Sequence, residues 1–197
     1  MFSMQQNRFL LLFFSLLFFS SAHAGHTEVY YNKPHNFSIR GPEDWYLEMR
    51  DHPSKEAMPI FTNNPDIAAF FSDTDVKNIT NGSGSVLNIY LSAPSKQTAM
   101  EKLPIVYAKL QKNYPNVIEA PKEIKINNQT WALMSFKGSG SDIVILYLAM
   151  FPKVTVLIQG LTTEQRYASD RKLFDEAVFN SSTNGNEADQ IMNIISH

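Results

Sequence analysis

Residues 130–160 read TWALMSFKGSGSDIVILYLAMFPKVTVLIQG. Three apolar runs lie within them: Thr130–Gly138, Asp142–Phe151 and Val154–Gly160. The connectors are Gly138-Ser139-Gly140-Ser141 and Pro152-Lys153. A parallel pair of strands needs a crossover of about a dozen residues, so connectors this short force an antiparallel meander. Trp131–Gly138 should therefore pair with Asp142–Ala149. The middle run, DIVILYLAMF, is too apolar for a strand with one wet face. It predicts a central position, covered on both sides.

Outward from this block, Lys122–Asn127 (KEIKIN) leads in through the turn Asn127-Asn128. On the far side, Thr162 with Gln165 three residues later reads as a capping box opening a helix. Tyr167, Phe174, Ala177 and Val178 would form its buried side. Arg171–Asp175 and Lys172–Glu176 would be four-apart ion pairs on its wet side. Upstream, Ser85–Ser92 (SVLNIYLS) alternates, with Val86 opposite the Leu87–Ile89–Leu91 set. Ser95 or Thr98 opens a helix carrying Leu103, Tyr107, Leu110 and Tyr114 at helical spacing. Pro104 fits its first turn, and Tyr114-Pro115 ends it. Ile67–Ser72 (IAAFFS) reads as a buried strand, and Asp73–Ser85 as an exposed, turn-rich stretch. Glu28–Tyr31 is a first strand. Asn36–Arg40 and Trp45–Arg50 are expected to form a hairpin about Gly41–Asp44, followed by a loop over Asp51–Pro59. Strands, helix, meander and helix in this order predict an α+β domain: a central antiparallel sheet with two main helices.

The first 24 residues have a different character. Arg8 is followed by the apolar core Phe9–Phe19, then Ser20, Ser21 and Ala22-His23-Ala24. A positive start, a short apolar core and a small-x-small end make a secretory signal. The expected cut lies between Ala24 and Gly25. The core is short of the roughly 20 residues a spanning helix needs. No later segment reaches that length, so no integral membrane segment is expected after the signal is removed. The chain would then be periplasmic or secreted. It divides into a signal at 1–24, one domain at 25–182 and a C-terminal tail at 183–197.

Removing residues 1–24 leaves 173 residues with a net charge of −3. That suffices for a single well-buried core. So weak a charge gives no electrostatic footprint for nucleic acid. The chain has no cysteine, so its core must hold without disulfides.

Tyr30-Tyr31-Asn32, Asn36-Phe37-Ser38-Ile39, Pro42 and Trp45 resemble the opening of PsbP-like domains. A meander followed by a helix ending near Phe179-Asn180-Ser181-Ser182 is similar to the close of that family. The resemblance covers roughly residues 28–182 in element order, through short degenerate motifs. It implies an α/β/α sandwich of the PsbP-like and DcrB-like kind. Such domains mostly assist larger assemblies, and they share no catalytic residues that could be carried over.

No residue set points to a reaction. Ser169-Asp170-Arg171-Lys172 fits S-x-x-K, yet the S-D-N and K-T-G companions are missing, and a wet helix face explains it better. Asp73-Thr74-Asp75 resembles half of a calcium loop, but positions 6 and 12 hold Asn78 and Gly84 rather than Gly and Glu. His26, His35, His52 and His197 are scattered. A cut after His23 would place His26 third from the terminus, a metal-chelating arrangement, but the cut at Ala24 removes it. Gly82-Ser-Gly84 and Gly138-Ser-Gly140 do not continue as phosphate loops. No cofactor, metal site or catalytic residue is expected. Tyr31, Trp45 and Tyr46, beside Tyr30, are the candidates for an aromatic partner surface, with core packing the competing role for Trp45 and Trp131. The leading expectation is an exported, non-enzymatic accessory factor with a protein partner. The alternative is a small secreted hydrolase or inhibitor. A deep pocket with convergent polar groups would favour the alternative, and an open apolar surface the accessory factor.

Overall fold

The computed structural model describes residues 26–79 and 84–183. The meander is present and longer than expected. Strands β6 (Asn116–Ile126), β7 (Gln129–Lys137), β8 (Asp142–Met150) and β9 (Thr155–Thr163) pair antiparallel in succession. Trp131 lies opposite Ala149, and Lys137 opposite Ile143, as the four-residue connector requires. Asn127 and Asn128 both have positive φ, at 49° and 65°. This is the left-handed turn geometry that Asn tolerates best after Gly. The sequence read only the end of β6. Pro121 and a mostly exposed pattern conceal the rest of it, and both suit an edge strand.

Strand β5 (Val86–Ser92) pairs with β9, and its other edge carries β4 (Ile67–Ser72) and then β3 (Tyr46–Met49). The seven-stranded sheet runs β3-β4-β5-β9-β8-β7-β6. Strands β1 (Val29–Asn32) and β2 (Phe37–Arg40) form a separate two-stranded sheet. This corrects one expectation: β2 pairs with β1 rather than with β3. Gly41–Asp44 carries the chain from one sheet to the other. Gly41 packs against the ring of Phe71, where any side chain would collide.

Alternation along the strands makes two faces. One buries Leu87, Ile89, Ile145, Tyr147, Ile158 and their neighbours under α4 (Tyr167–Phe179) and the β1–β2 sheet. The other buries Met134, Phe136, Val144, Leu146 and Leu148 under α3 (Ala99–Leu110). On that same face Phe70 and Val86 lie under the short helices α1 (Met58–Asn63) and α2 (Val76–Ile79). Strand β8 is thus apolar on both sides, one place from the middle of the sheet. The result is an α+β sandwich of helices, antiparallel sheet and helix.

Helix α3 opens with a true capping box, in which Thr98 accepts from the Glu101 N–H and Glu101 accepts from the Thr98 N–H. Thr98→Ala should lower stability by about 1 kcal/mol, read as a shift in the urea midpoint. Pro104 does not sit in the first turn. It occupies the helix interior on an exposed position. The second expected cap also fails. Strand β9 continues through Thr163, and the Thr162 hydroxyl bonds Asp170 instead of opening a helix. The loop expected over Asp51–Pro59 gives way to α1 at Met58, and Asp73–Ser85 contains α2 with Val76 buried.

Candidate functional site

Helices α1 and α2 cover one end of the outer sheet face and α3 the other. A gap remains between them over β5 and β9. It forms a cleft of about 400 Å³, within the range of ligand pockets. Ile60 and Ile79 stand on one side of it, and Leu110 and Tyr114 on the other. Its floor carries Asn88 and Gln159, directly opposite each other on β5 and β9. Gln159 Oε1 accepts from the Tyr90 hydroxyl at 2.8 Å and from Asn88 Nδ2 at 3.3 Å. Burial, with a smaller contribution from the negative charge of Asp66, pushes the Tyr90 phenol up to about 12. Tyr90 therefore remains a donor over the whole working pH range.

Polar residues in the middle of apolar strands are the trace this site leaves in the sequence. Asn88 in SVLNIYLS and Gln159 in VTVLIQG both point to the face away from α4, at the place no helix covers. Each interrupts an otherwise apolar strand. Only the pairing of β5 with β9, 71 residues apart at this rung, brings them together.

Two polar clusters on the other face are structural. Asp170 is 1% exposed and accepts from the hydroxyls of Ser85 and Thr162 and from Arg166 at 3.3 Å. Arg166 also pairs with Asp73, whose Oδ1 accepts from the Ser85 N–H at 2.7 Å. This ties the Asp73–Ser85 loop to α4. The candidate calcium ligand Asp73 is thereby already paired, and no group of three or more potential metal ligands occurs among the described residues.

The second cluster corrects the reading of Arg171 as a wet-side residue. Arg171 bonds Glu119 of β6 and Asp175 at 2.9 Å, and it stacks over the Tyr147 ring at 5.8 Å. The Tyr147 hydroxyl donates to Asp175 at 2.6 Å. Burial alone would raise the Glu119 carboxyl, but hydrogen bonds from Lys122 and Arg171, with their positive charges, hold it down to about 2. A carboxyl lowered in the folded state stabilises above its unfolded pKa of 4.5 and loses that contribution as pH falls toward 2. Acid titration of stability should show this loss, and Glu119→Gln should remove that part of the slope.

The sequence candidates fall as follows. Trp45 is 6% exposed and meets Phe174 edge-on at 5.9 Å, which makes it a core residue. Its indole therefore cannot belong to a partner surface. Tyr31 is half-buried, with its hydroxyl on Asn36 at 3.1 Å. Tyr46 is 56% exposed at the sheet edge. Ser169 is exposed and donates to the Arg166 carbonyl at 2.8 Å, and Lys172 is exposed, so neither lies in a pocket. Ala24 and Gly25 lie outside the described residues. A further hollow of about 460 Å³ sits at the β6–β7 turn and reaches Thr183, the last described residue. Among the described residues, no helix is long and apolar enough to cross a membrane.

No protein-family model and no curated protein matches the chain. The fold does match. The solution structure of cyanobacterial PsbP (CyanoP) from Synechocystis sp. PCC 6803 superposes with a TM-score of 0.54 at 12% identity. The match covers 82% of this chain and 94% of that one. The PsbP-like fold implied by the opening and closing motifs is therefore the fold of this chain.

Proposed function

We propose that the protein is an exported accessory factor that holds a protein partner in the cleft over β5 and β9 and carries out no chemical conversion. The observation that carries this reading is the composition of the cleft. Three amides (Asn64, Asn88 and Gln159) and two phenols (Tyr90 and Tyr114) are the polar groups of an otherwise apolar lining, with no carboxylate, imidazole or amine among the lining residues. General acid–base or nucleophilic catalysis needs such a group held in the pocket. The signal-like stretch 1–24, ending at Ala24 before Gly25, supports export. Intact-mass measurement of the exported product should give a chain beginning at Gly25.

The test is capture from the native envelope fraction by the chain beginning at Gly25. Wild type should retain a partner that Ile60→Asp and Leu161→Asp, the latter on β9 two residues beyond Gln159 in the cleft lining, both release, with thermal melts confirming that each variant is folded. Equal retention by all three overturns the reading. Loss only on Tyr46→Ala would move the contact to the sheet edge. Ser169→Ala should leave capture unchanged, because Ser169 is exposed and does not reach the cleft.

A further inference from the structure

The amide pair on the cleft floor is incompletely satisfied. Gln159 uses its oxygen for Tyr90 and Asn88, and Asn88 uses its amide nitrogen for Gln159. That leaves the two N–H groups of Gln159, the second N–H of Asn88 and the amide oxygen of Asn88 without a side-chain partner among the described residues. Asn88 is only 6% exposed. Neither the Gln159 amide nitrogen nor the Asn88 oxygen is sealed off, because the one fully buried side-chain polar atom without a partner among the described residues is the Thr74 hydroxyl. Both therefore open into the cleft, where a ligand can take the place of water. A donor and an acceptor therefore stand side by side at the bottom of an apolar cleft.

We infer that the cleft binds an extended, uncharged, apolar segment of a polypeptide. Gln159 donates to the C=O of one residue, and Asn88 accepts from the N–H of that same residue. This inference rests on the reading of the protein as a partner-holding factor and names what is held. The N–H and C=O of one residue in an extended chain point the same way, as in an antiparallel hydrogen-bonded pair. They are the complement of the Gln159–Asn88 edge. The flanking side chains would meet Ile60 and Ile79 on one side and Leu110 and Tyr114 on the other.

Charge excludes other ligand classes. No lining residue is an acid or a base. A fatty-acid carboxylate, a phosphate headgroup or an ammonium would be desolvated with no counter-ion. A neutral apolar chain with one exposed backbone edge loses least on entering.

The probe is acetyl-Leu-Leu-Leu-amide, titrated against the chain beginning at Gly25. Saturable binding is expected, and N-methylation of the central leucine should weaken it about tenfold by deleting the N–H. Gln159→Glu keeps the oxygen that Tyr90 and Asn88 need and replaces the donor by a carboxylate. At pH 7 it should also bind about tenfold more weakly. Its affinity should recover as acidification protonates the new carboxyl, a change that a merely structural role would not produce, with melts at each pH confirming the fold. Equal binding of the N-methylated peptide, or binding of decanoate as tight as that of the peptide, overturns the proposal. If the tripeptide fails while Leu161→Asp still releases the captured partner, this inference falls alone. If Leu161→Asp leaves capture intact, the broader reading falls with it.

Discussion

Asp170→Ala should lower stability by about 3–5 kcal/mol, because it removes the charged acceptor of two buried hydroxyls and leaves Arg166 with Asp73 alone. Asp170 receives the hydroxyls of Ser85, at the start of β5, and Thr162, near the end of β9. Through Arg166 it also reaches Asp73. One carboxylate thus joins two central strands, a helix and the loop that carries α2. Asp170→Asn keeps one oxygen and should lose roughly half as much, because charge-assisted bonds become neutral ones. Urea denaturation measures both variants, and a loss below about 1 kcal/mol for Asp170→Ala would refute the account. The effect extends to function. Ile79 at the end of α2 stands on the cleft wall, so Asp170→Ala should also weaken binding there.

Phe174→Ala should have a comparable effect, about 3–5 kcal/mol. Phe174 is fully buried, meets Trp45 edge-on and lies on Gly160 of β9. A Cβ on Gly160 would fall 2.5 Å from the Phe174 ring, nearer than such atoms approach. Gly160→Ala must therefore push α4 from the sheet, at about 2 kcal/mol. Once Phe174 is alanine the added methyl enters vacated space. The double variant should therefore be less destabilised than the sum of the singles by more than about 1 kcal/mol. Strict additivity in calorimetric or chemical unfolding would show that ring and glycine do not interlock.

These two residues also show what the sequence makes legible. Phe174 is readable from helical spacing, and the meander is readable from its connectors, because both signals are local. Asp170 is not. It stands among charged residues of an amphipathic helix, and only the arrival of Ser85 and Thr162 gives it a buried role. Arg171 fails in the same way, because its partner Glu119 belongs to an edge strand that Pro121 and the exposed residues of β6 conceal. Trp45, grouped by sequence proximity with exposed Tyr46, lies just before β3 and turns inward against Phe174. The cleft is the least legible feature. Asn88 and Gln159 are ordinary polar interruptions until β5 and β9 align and the helices leave them uncovered.

The middle strand of the sheet, β9, is the last strand among the described residues. Strands β3, β4 and β5 have only each other until β9, whose residues 155–163 follow more than sixty others, arrives beside β5. A nascent chain emerging from a ribosome therefore cannot close this sheet until residues 155–163 have been made. The early strands form late contacts of high sequence separation, which fold slowly. The β6–β9 hairpins are local and should form first, with β5 then docking on their free edge. For a chain proposed to be exported, this order delays closure of the sheet until β9 has been made. Pulse-labelled hydrogen exchange during refolding should protect Leu146 and Met134 before Phe70 and Leu47.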